Sequence, residues 1–217
     1  MQWHCIDCTI SIDLVNADVK TASSYRQEQA LQTRLRIATA AQALFARDGY
    51  AVTSIEAIAR EAGVGTRTVY AAYGAKREIL NVICERWLER ARARELAREI
   101  LELPEPGERM AGAARWLTVL YSTDFDVVRI LDSALDEDAE TQALLRSKLR
   151  ARNRVMDSLI ASVEDALVVP LAEAQAVYRA FSASGVYLEL VVNAGWTPEH
   201  FEQWLAATLE GQLLGMR

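Results

Sequence analysis

The feature that most constrains the fold is a short turn, Gly63–Gly65, between two brief segments of helical periodicity. Before the turn, the apolar residues of the segment 53–62 recur at three- and four-residue spacing, as they do on one face of a helix. After the turn, Val69 and Tyr73 lie four residues apart, so a second short helix would also bury one face. The sequence therefore predicts two short helices joined by a tight glycine turn.

Residues at the edges of these segments have the chemistry of helix ends. Thr53 carries a hydroxyl that can accept the free N–H groups of a first turn, and Glu56 follows three residues later, as in a capping box. Gly49 and Gly74 follow the preceding helix and the second short helix, where a left-handed residue often ends a helix. We therefore expect helices over 29–48, 53–62 and 66–73, with Thr53 as the cap of the middle one.

The rest of the chain predicts an all-α fold. Only four prolines and ten glycines occur in 217 residues, which leaves few breakers in the helical patterns. The segment Pro104–Gly107 is the clearest linker, and Asp124 and Thr197-Pro198 are predicted N-terminal caps. The further predicted helices span 75–103, 108–121, 125–136, 139–168, 171–194 and 198–214.

Charge divides the chain into parts. The net charge is −6, yet residues 29–80 contain seven Lys/Arg against four Asp/Glu, and residues 81–217 contain 15 against 22. A basic module on an acidic body favours a polyanionic partner at one end only. We expect three regions: a poorly ordered extension (1–28), a small basic domain (29–76) and a helical body (77–217).

Two short helices joined in this way predict a helix-turn-helix unit, in which the first helix supports the second in the major groove of DNA. The second helix needs small, hydroxylated and cationic side chains on its outer face. Thr66, Arg67, Thr68 and Tyr70 meet that requirement. The free N–H groups at its start would attract phosphate.

The string from Thr53 to Lys76 resembles the N-terminal domain of the TetR family of transcriptional regulators. The segment before it does too, with Phe45 and Gly49 where the family keeps Phe and Gly, so that the resemblance covers about residues 31–91. It implies an N-terminal three-helix helix-turn-helix domain and a C-terminal helical ligand-binding and dimerisation domain. It also implies a DNA-contacting set: Thr53, Ser54, Thr66, Arg67, Thr68, Tyr70, Tyr73 and Lys76.

Within this set the expected roles differ. Tyr70 and Lys76 would reach phosphates, whereas the ring of Tyr73 would lie in the core with its hydroxyl at the rim. Arg67 is the candidate for base discrimination, because a guanidinium can pair bidentately with guanine. Contact of Arg67 with phosphate alone is the equally weighted alternative. Ala71 and Ala72 leave few side chains for direct readout.

Aromatic residues of the C-terminal body are candidates for a cavity between helices. Ordinary core packing is the alternative for each of them. The candidate pocket residues are Trp87, Trp116, Tyr121, Phe125, Tyr178 and Phe181. Family members dimerise through their last two helices, which gives as candidate interface residues Tyr187, Leu190, Phe201, Trp204 and Leu205.

These observations predict a homodimeric repressor that binds double-stranded operator DNA and is released by a small apolar or amphipathic effector. The alternatives are an activator and a helical small-molecule binding protein without operator activity. Three cysteines and no secretory signal or apolar run of membrane length predict a cytoplasmic protein without a membrane partner.

Other candidate sites are weaker. Cys5 and Cys8 have zinc-like spacing, but the second histidine of the chain, His200, is far away, so we expect neither a metal site nor a cofactor. The two histidines accompany no nucleophile, so we expect no enzyme activity. Three further patterns are interpreted as solvated surface or helix start: the stripe Arg86, Arg90, Arg94 and Arg98, the cations of 146–154, and the acidic run 136–140.

Overall fold

The structure is a computed structural model that describes the backbone of residues 10–215 and the side chains of residues 25–215. This part of the chain contains helices and no strand, so the predicted all-α class is confirmed. Its α-helices are α1 (Ile10–Asp48), α2 (Ile55–Glu61), α3 (Thr66–Tyr73), α4 (Lys76–Arg90), α5 (Ala93–Leu101), α6 (Pro106–Thr123), α7 (Phe125–Ser133), α8 (Ala139–Ala161), α9 (Leu171–Phe181), α10 (Ser184–Tyr187) and α11 (Pro198–Leu209). A 3₁₀ turn spans Glu164–Ala166, and π-helical turns extend α10 over Leu188–Asn193 and α11 over Glu210–Leu214.

The C-terminal half of α1 is the first layer of the core. Its inward stripe has the predicted spacing and consists of Ile37, Ala38, Ala41, Leu44 and Phe45. Gly49 ends the helix as predicted, with a φ of 96° and an N–H that donates to the carbonyl of Phe45 at 3.0 Å. A side chain at Gly49 would strain this left-handed backbone.

The beginning of α1 differs from the sequence prediction. We expected a poorly ordered extension over 1–28, whereas the structure continues α1 back to Ile10. No glycine or proline lies between residues 10 and 48, so nothing in the backbone chemistry interrupts the helix. Residues 25–32 are exposed and bury no face against the rest of the chain. Residues 1–9, including Cys5 and Cys8, lie outside the described residues.

The cap of α2 is also different from the prediction. Ser54, not Thr53, is the N-cap, and its hydroxyl accepts a hydrogen bond from the N–H of Ala57 at 3.1 Å. Thr53 is buried and donates its hydroxyl to the carbonyl of Gly49 at 2.7 Å. Thr53 therefore closes the α1–α2 loop, because its side chain turns back to the end of α1.

The predicted long helix over 75–103 is two helices. α4 ends at Arg90 and α5 begins at Ala93, with Arg92 between them at a φ of 48°. Among the described residues, Arg92 is the one non-glycine residue with a positive φ. The indole N–H of Trp116 donates to the carbonyl of Ala93 at 2.8 Å, which ties the start of α5 to α6. No glycine or proline marks the break, so no local signal in the sequence predicts it.

The break lets α5 turn its apolar face onto α6. Leu96, Ala97 and Ile100 are buried there, and Gly112 provides the close approach. A Cβ built at Gly112 would lie 2.7 Å from Cγ2 of Ile100, closer than packed atoms allow. The two helices thus pack at a distance that only glycine permits at this position.

α6 is the central helix of the C-terminal body and packs against α5, α8 and α11. Two buried tyrosines connect it to α9 and its end. The hydroxyl of Tyr178 donates to the carbonyl of Ala113, and that of Tyr121 donates to the carbonyl of Ser182, both at 2.6 Å. Burial raises the pKa of both phenols, so they remain neutral donors.

Of the two predicted caps in this body, Thr197 is present and Asp124 is not, and Asp138 caps α8 at the helix start expected in the acidic run 136–140. Thr197 accepts the N–H of His200, and Asp138 accepts the N–H groups of Glu140 and Thr141. Asp124 precedes α7 but makes no capping bond, because its carboxylate accepts from Gln42 at 2.8 Å and Arg90 at 2.7 Å. It therefore joins α1 and α4 to the start of α7.

Candidate nucleic-acid interface and internal cavity

α3 divides into a buried face and an open face. Val69 and Tyr73 are 1% and 7% exposed, which confirms that they face inward. Arg67, Thr68 and Tyr70 are exposed, with Tyr70 at 52%. Thr66 is half-buried at the start of the helix. The predicted DNA-facing side chains of α3 therefore share one accessible surface.

The N-terminus of α3 has features that favour binding of an anion. Gly65 is the N-cap and offers no side-chain oxygen to the first N–H groups. The first turn contains no acidic residue, and Arg67 makes no ion pair within the described part of the chain. Free N–H groups and an unpaired guanidinium together favour an anion such as phosphate.

Tyr73 fixes the position of α3 on α1. Its hydroxyl donates to the carbonyl of Arg34 at 2.8 Å, and the guanidinium of Arg34 lies 4.4 Å from the ring centre. Arg34 also donates to the carbonyl of Ala72. Tyr73 thus has its ring in the core, as expected, but its hydroxyl is used inside the protein. Its place in the predicted DNA-contacting set stays a prediction.

The ammonium of Lys76 lies against the α1–α2 loop, a contact that the sequence did not predict. Its ammonium donates to the carbonyls of Tyr50, Ala51 and Thr53 at 2.7, 3.2 and 3.2 Å, and it lies 4.2 Å from the ring centre of Tyr50. Burial lowers the pKa of this amine. Because an ammonium has three donors, the α1–α2 loop satisfies all of them. The expected phosphate contact would require Lys76 to release part of this loop.

The remaining expected members, Thr53 and Ser54, hold the start of α2. The side chain of Thr53 is buried, so any contact with DNA would come from its backbone. Ser54 is exposed at the helix start, although its hydroxyl oxygen already serves as the cap. The accessible part of the predicted set is therefore concentrated on α3.

Three of the four arginines of the α4–α5 stripe are ion-paired, whereas Arg86 donates to the hydroxyl of Thr39 at 3.5 Å. Arg90 pairs with Asp124 at 2.7 Å and Arg94 with Glu85 at 3.1 Å. Arg98 lies 3.5 Å from Glu95. These contacts leave the stripe with little unbalanced charge for a distant polyanion.

A cavity of about 300 Å³, partly open to solvent, lies between α4, α5, α6, α7 and α8. Its wall is mostly apolar, with Trp87 and Trp116 on the side of α4 and α6. Both indole N–H groups are already used, since Trp87 donates to the carbonyl of Leu120 and Trp116 to that of Ala93 at 2.8 Å. The two rings therefore offer the cavity only apolar surface.

Two of the six predicted pocket residues line this cavity, namely Trp87 and Trp116. The other four lie elsewhere in the aromatic core. Tyr121 and Phe125 pack together at 5.8 Å between ring centres, and Phe181 packs on Trp204 at 5.9 Å. Tyr178 is buried against α6. These four rings close the contacts among α6, α7, α9 and α11, and their assignment to a ligand pocket stays a prediction.

The charged lining of the cavity was not predicted from the sequence. Lys148 and Arg152, which we expected on a solvated surface, line it from α8, together with Leu145 and Val155. These four positions recur at three- and four-residue spacing, which places them on one helix face. That spacing could have predicted a shared helix face. The cations at every second position of 146–154 indicated a scattered, solvated surface instead.

The thiol of Cys84 also lines the cavity. Burial raises its pKa to about 11, so it remains a neutral thiol at physiological pH. A neutral thiol is a poor nucleophile and a poor metal ligand. No group of three metal-binding side chains occurs among residues 25–215.

The predicted interface residues fall into two groups. Tyr187, Phe201 and Leu205 are buried within this chain, with Tyr187 and Phe201 5.0 Å apart between ring centres. They present almost no surface in this chain, and their place at an interface stays a prediction. Leu190 and Trp204 are partly exposed. Val192 is 54% exposed on the same segment and was not predicted.

No helix within residues 10–215 is both long enough and apolar enough to cross a lipid bilayer.

Comparison with known proteins places the helix-turn-helix region in a described group. Residues 37–83 match the family model of the bacterial regulatory proteins, tetR family. A curated relative, the HTH-type transcriptional regulator HbdR of Aromatoleum sp. (strain CIB), is 30% identical over 130 residues. This match covers 59% of the chain and 56% of the relative, so the chain spans little more than half the length of that protein.

Solved structures share the fold over most of the chain. FadR of Bacillus subtilis, in complex with stearoyl-CoA, has a TM-score of 0.65 at 16% identity and covers 81% of this chain and 96% of its own. NalD, the secondary repressor of the MexAB-OprM multidrug efflux pump in Pseudomonas aeruginosa, has a TM-score of 0.67 at 21% identity, covering 86% and 98%. A candidate transcriptional regulator from Saccharomonospora viridis, in complex with choline, gives 0.67 at 20%, covering 86% and 99%.

Proposed function

Because the chain belongs to the TetR family of transcriptional regulators, we propose that it is a homodimeric repressor of a palindromic operator, released by a small molecule in the α4–α8 cavity. In this proposal residues 29–76 form the DNA-binding domain and residues 77–217 form the regulatory and dimerisation domain. Residues 1–28 precede the DNA-binding domain as an extension.

The open face of α3 carries the proposal. Arg67, Thr68 and Tyr70 are exposed side by side, and Val69 and Tyr73 hold the helix on the core from its other face. A helix with one buried face and one exposed face can enter a major groove about 12 Å wide and keep its packing on the core. Arg67 would supply bidentate base recognition, and Tyr70 would reach a phosphate.

Dimerisation is proposed through α9 to α11 and their π-helical turns. Leu190, Val192 and Trp204 offer partly exposed apolar surface there. A two-fold axis would place two copies of α3 about 34 Å apart, one helical turn of DNA, and so match a palindrome. With few side chains for base readout, this spacing and the shape of the DNA would contribute much of the specificity.

Release would act through α4. Cys84, Glu85, Trp87 and Leu88 of this helix line the cavity, and its first residue, Lys76, holds the α1–α2 loop. A ligand that shifts α4 would therefore move the support of the helix-turn-helix unit. The ligand must favour the DNA-incompetent state, because equal affinity for both states would shift nothing. α5 would not move with α4 as one rod, since Arg92 separates them.

Three solved structures of the same fold support the proposal of a regulator that binds a small molecule. NalD is described as a repressor, FadR was solved with stearoyl-CoA, and the Saccharomonospora viridis protein was solved with choline. An activator remains the second candidate for direction of control. A helical small-molecule binding protein without operator activity remains the candidate of another class.

DNA binding is tested by fluorescence anisotropy of the full-length protein on duplexes from the region upstream of its own gene, with random duplex as competitor. We expect specific binding that weakens as salt rises, because phosphate contacts release counterions. Arg67→Ala should reduce the preference for the specific duplex by about 1–3 kcal/mol. Absence of binding at low salt, or equal affinity for random duplex, would contradict the proposal.

The control is Arg154→Ala, an exposed arginine of α8 in the acidic body, which should leave both affinities unchanged. A loss of binding in this control would show that net charge matters more than the position of Arg67. Transcription from the upstream region in vitro then separates the two directions of control. Repression predicts less transcript with protein added, and activation predicts more.

A further inference from the structure

We propose that the ligand of the α4–α8 cavity is a small amphipathic monoanion, specifically an aromatic carboxylate, recognised by Arg152. This inference rests on the proposed function for the role of the site, but the chemical class comes from the cavity itself. The apolar part of the ligand would lie against Trp87 and Trp116, and its carboxylate would pair with the guanidinium.

The first argument is the hydrogen bonding of Arg152. Its Nε is buried and makes no hydrogen bond within the described part of the chain. Its Nη1 contacts only the hydroxyl of Tyr121, at 3.3 Å. A guanidinium has five N–H donors in a planar fork that fits a carboxylate. A buried donor without an acceptor is costly, so a ligand that supplies the acceptor gains that free energy on binding.

The second argument is the balance of charge around the cavity. Lys148 already has a partner, since it donates to Glu85, and Arg94 pairs with the same carboxylate at 3.1 Å. These two cations hold the pKa of Glu85 below its ordinary value, so it stays ionised. Arg152 forms no ion pair among the described residues.

Asp132, the other acidic residue of the lining, does not neutralise Arg152. It is exposed at the rim of the cavity, and its carboxylate accepts the hydroxyl of Ser184 at 2.6 Å. Its charge is therefore largely solvated. The side chain of Arg94 is 69% exposed and is solvated as well. The less exposed part of the lining then holds the Lys148–Glu85 pair and the one unbalanced charge of Arg152, which favours a ligand with one negative charge and disfavours a cation.

The third argument is size and surface. A volume of about 300 Å³ is at the lower end for ligand sites, equal to about ten water molecules' share of the liquid. A long acyl chain would extend beyond this space. The indole rings of Trp87 and Trp116, whose N–H groups are used elsewhere, offer apolar surface that suits a flat apolar body. A benzoate or phenylacetate combines these properties.

The experiment uses the full-length protein and measures the affinity of benzoate and phenylacetate by isothermal titration calorimetry. Benzamide and benzylamine serve as neutral and cationic analogues of nearly the same shape. We expect at least one of the two carboxylates to bind tenfold or more tightly than its analogues. If neither carboxylate binds, or if the amide or the amine binds as well, the proposal is wrong.

Two variants test the role of Arg152. Arg152→Gln should weaken carboxylate binding about tenfold to a hundredfold and leave amide binding unchanged, whereas Arg152→Lys should keep part of the preference. Arg150→Gln is the matched control, because Arg150 is exposed on the same helix and does not line the cavity. Equal losses for carboxylate and amide in both Arg152 variants would contradict recognition of charge.

These results are separable from the proposed function. Carboxylate binding without specific DNA binding would support the ligand class and contradict the repressor. Specific DNA binding without carboxylate binding would support the DNA-binding function and contradict the ligand class. If both occur, the carboxylate that binds should lower the affinity for the specific duplex, and Arg152→Gln should need a tenfold to hundredfold higher concentration for the same effect.

Discussion

At the scale of single residues, two tyrosines of one short helix have opposite surroundings. Tyr73 donates its hydroxyl to the carbonyl of Arg34 from the core, while Tyr70 is 52% exposed on the other face. The substitution of phenylalanine removes one oxygen atom from each and leaves the ring. The pair thus separates a hydroxyl that is used inside the protein from an exposed one that we propose contacts DNA.

We predict that Tyr73→Phe lowers the free energy of unfolding by about 1 kcal/mol, because the carbonyl of Arg34 loses its donor in a nearly buried position. Tyr70→Phe should leave stability unchanged and weaken binding to all duplexes alike, since a phosphate contact carries no sequence information. Urea unfolding and anisotropy measure the two effects. Equal stability losses in both variants would contradict this assignment.

The contacts of Lys76 could not be predicted from its position in the motif. Its position in the motif predicted a phosphate contact, but the structure brings Tyr50, Ala51 and Thr53 within reach of its ammonium. The conformation of a loop more than twenty residues earlier decides this, and periodicity does not describe loop conformation. Thr53 and Ser54 are a similar case, because both residues can cap and only the path of the chain selects one.

At the scale of helices, glycine and periodicity predicted most of the N-terminal region. The ends at Asp48 and Tyr73, and the turn between α2 and α3, follow from residues whose effect is local. The break between α4 and α5 does not, because Ala91 and Arg92 are ordinary helix formers. Tertiary contacts, including the bond from Trp116 to Ala93, accompany the break and outweigh local propensity.

The contact of α5 with α6 gives a prediction at this scale. Gly112→Ala should lower the free energy of unfolding by about 1–3 kcal/mol, because the new methyl group would meet Ile100 at 2.7 Å. In an Ile100→Ala background the same substitution should cost less, because both Cγ atoms that the new methyl group would meet are absent. Thermal unfolding measures both.

Gly185→Ala is the control, because a Cβ there has no neighbour within 4 Å. Helix propensity alone would make both alanine variants slightly more stable. A stabilised Gly112→Ala variant would therefore show that α5 and α6 can separate without cost, contrary to the packing described here.

At the scale of the whole molecule, the cavity brings charged side chains of α8 next to α4. α8 supplies Lys148 and Arg152 to a space that α4 borders, and Glu85 of α4 joins Lys148 across it. The sequence predicted a cavity in this body from its aromatic residues, yet Tyr178 and Phe181 proved to be packing residues. Aromatic content indicates buried volume, whereas the helix arrangement decides where a void remains.

The predicted dimer gives the last test, on the surface that remains open after Tyr187, Phe201 and Leu205 are buried. Val192→Glu should shift the protein from dimer to monomer in analytical ultracentrifugation, because a charge would enter an apolar interface. Leu101→Glu, at the exposed end of α5, is the control and should remain dimeric. The monomer should lose affinity for a palindrome far more than for a single half-site, since only the dimer places two copies of α3 on one duplex. A Val192→Glu dimer with unchanged palindrome binding would mean that the two-fold interface lies on another face.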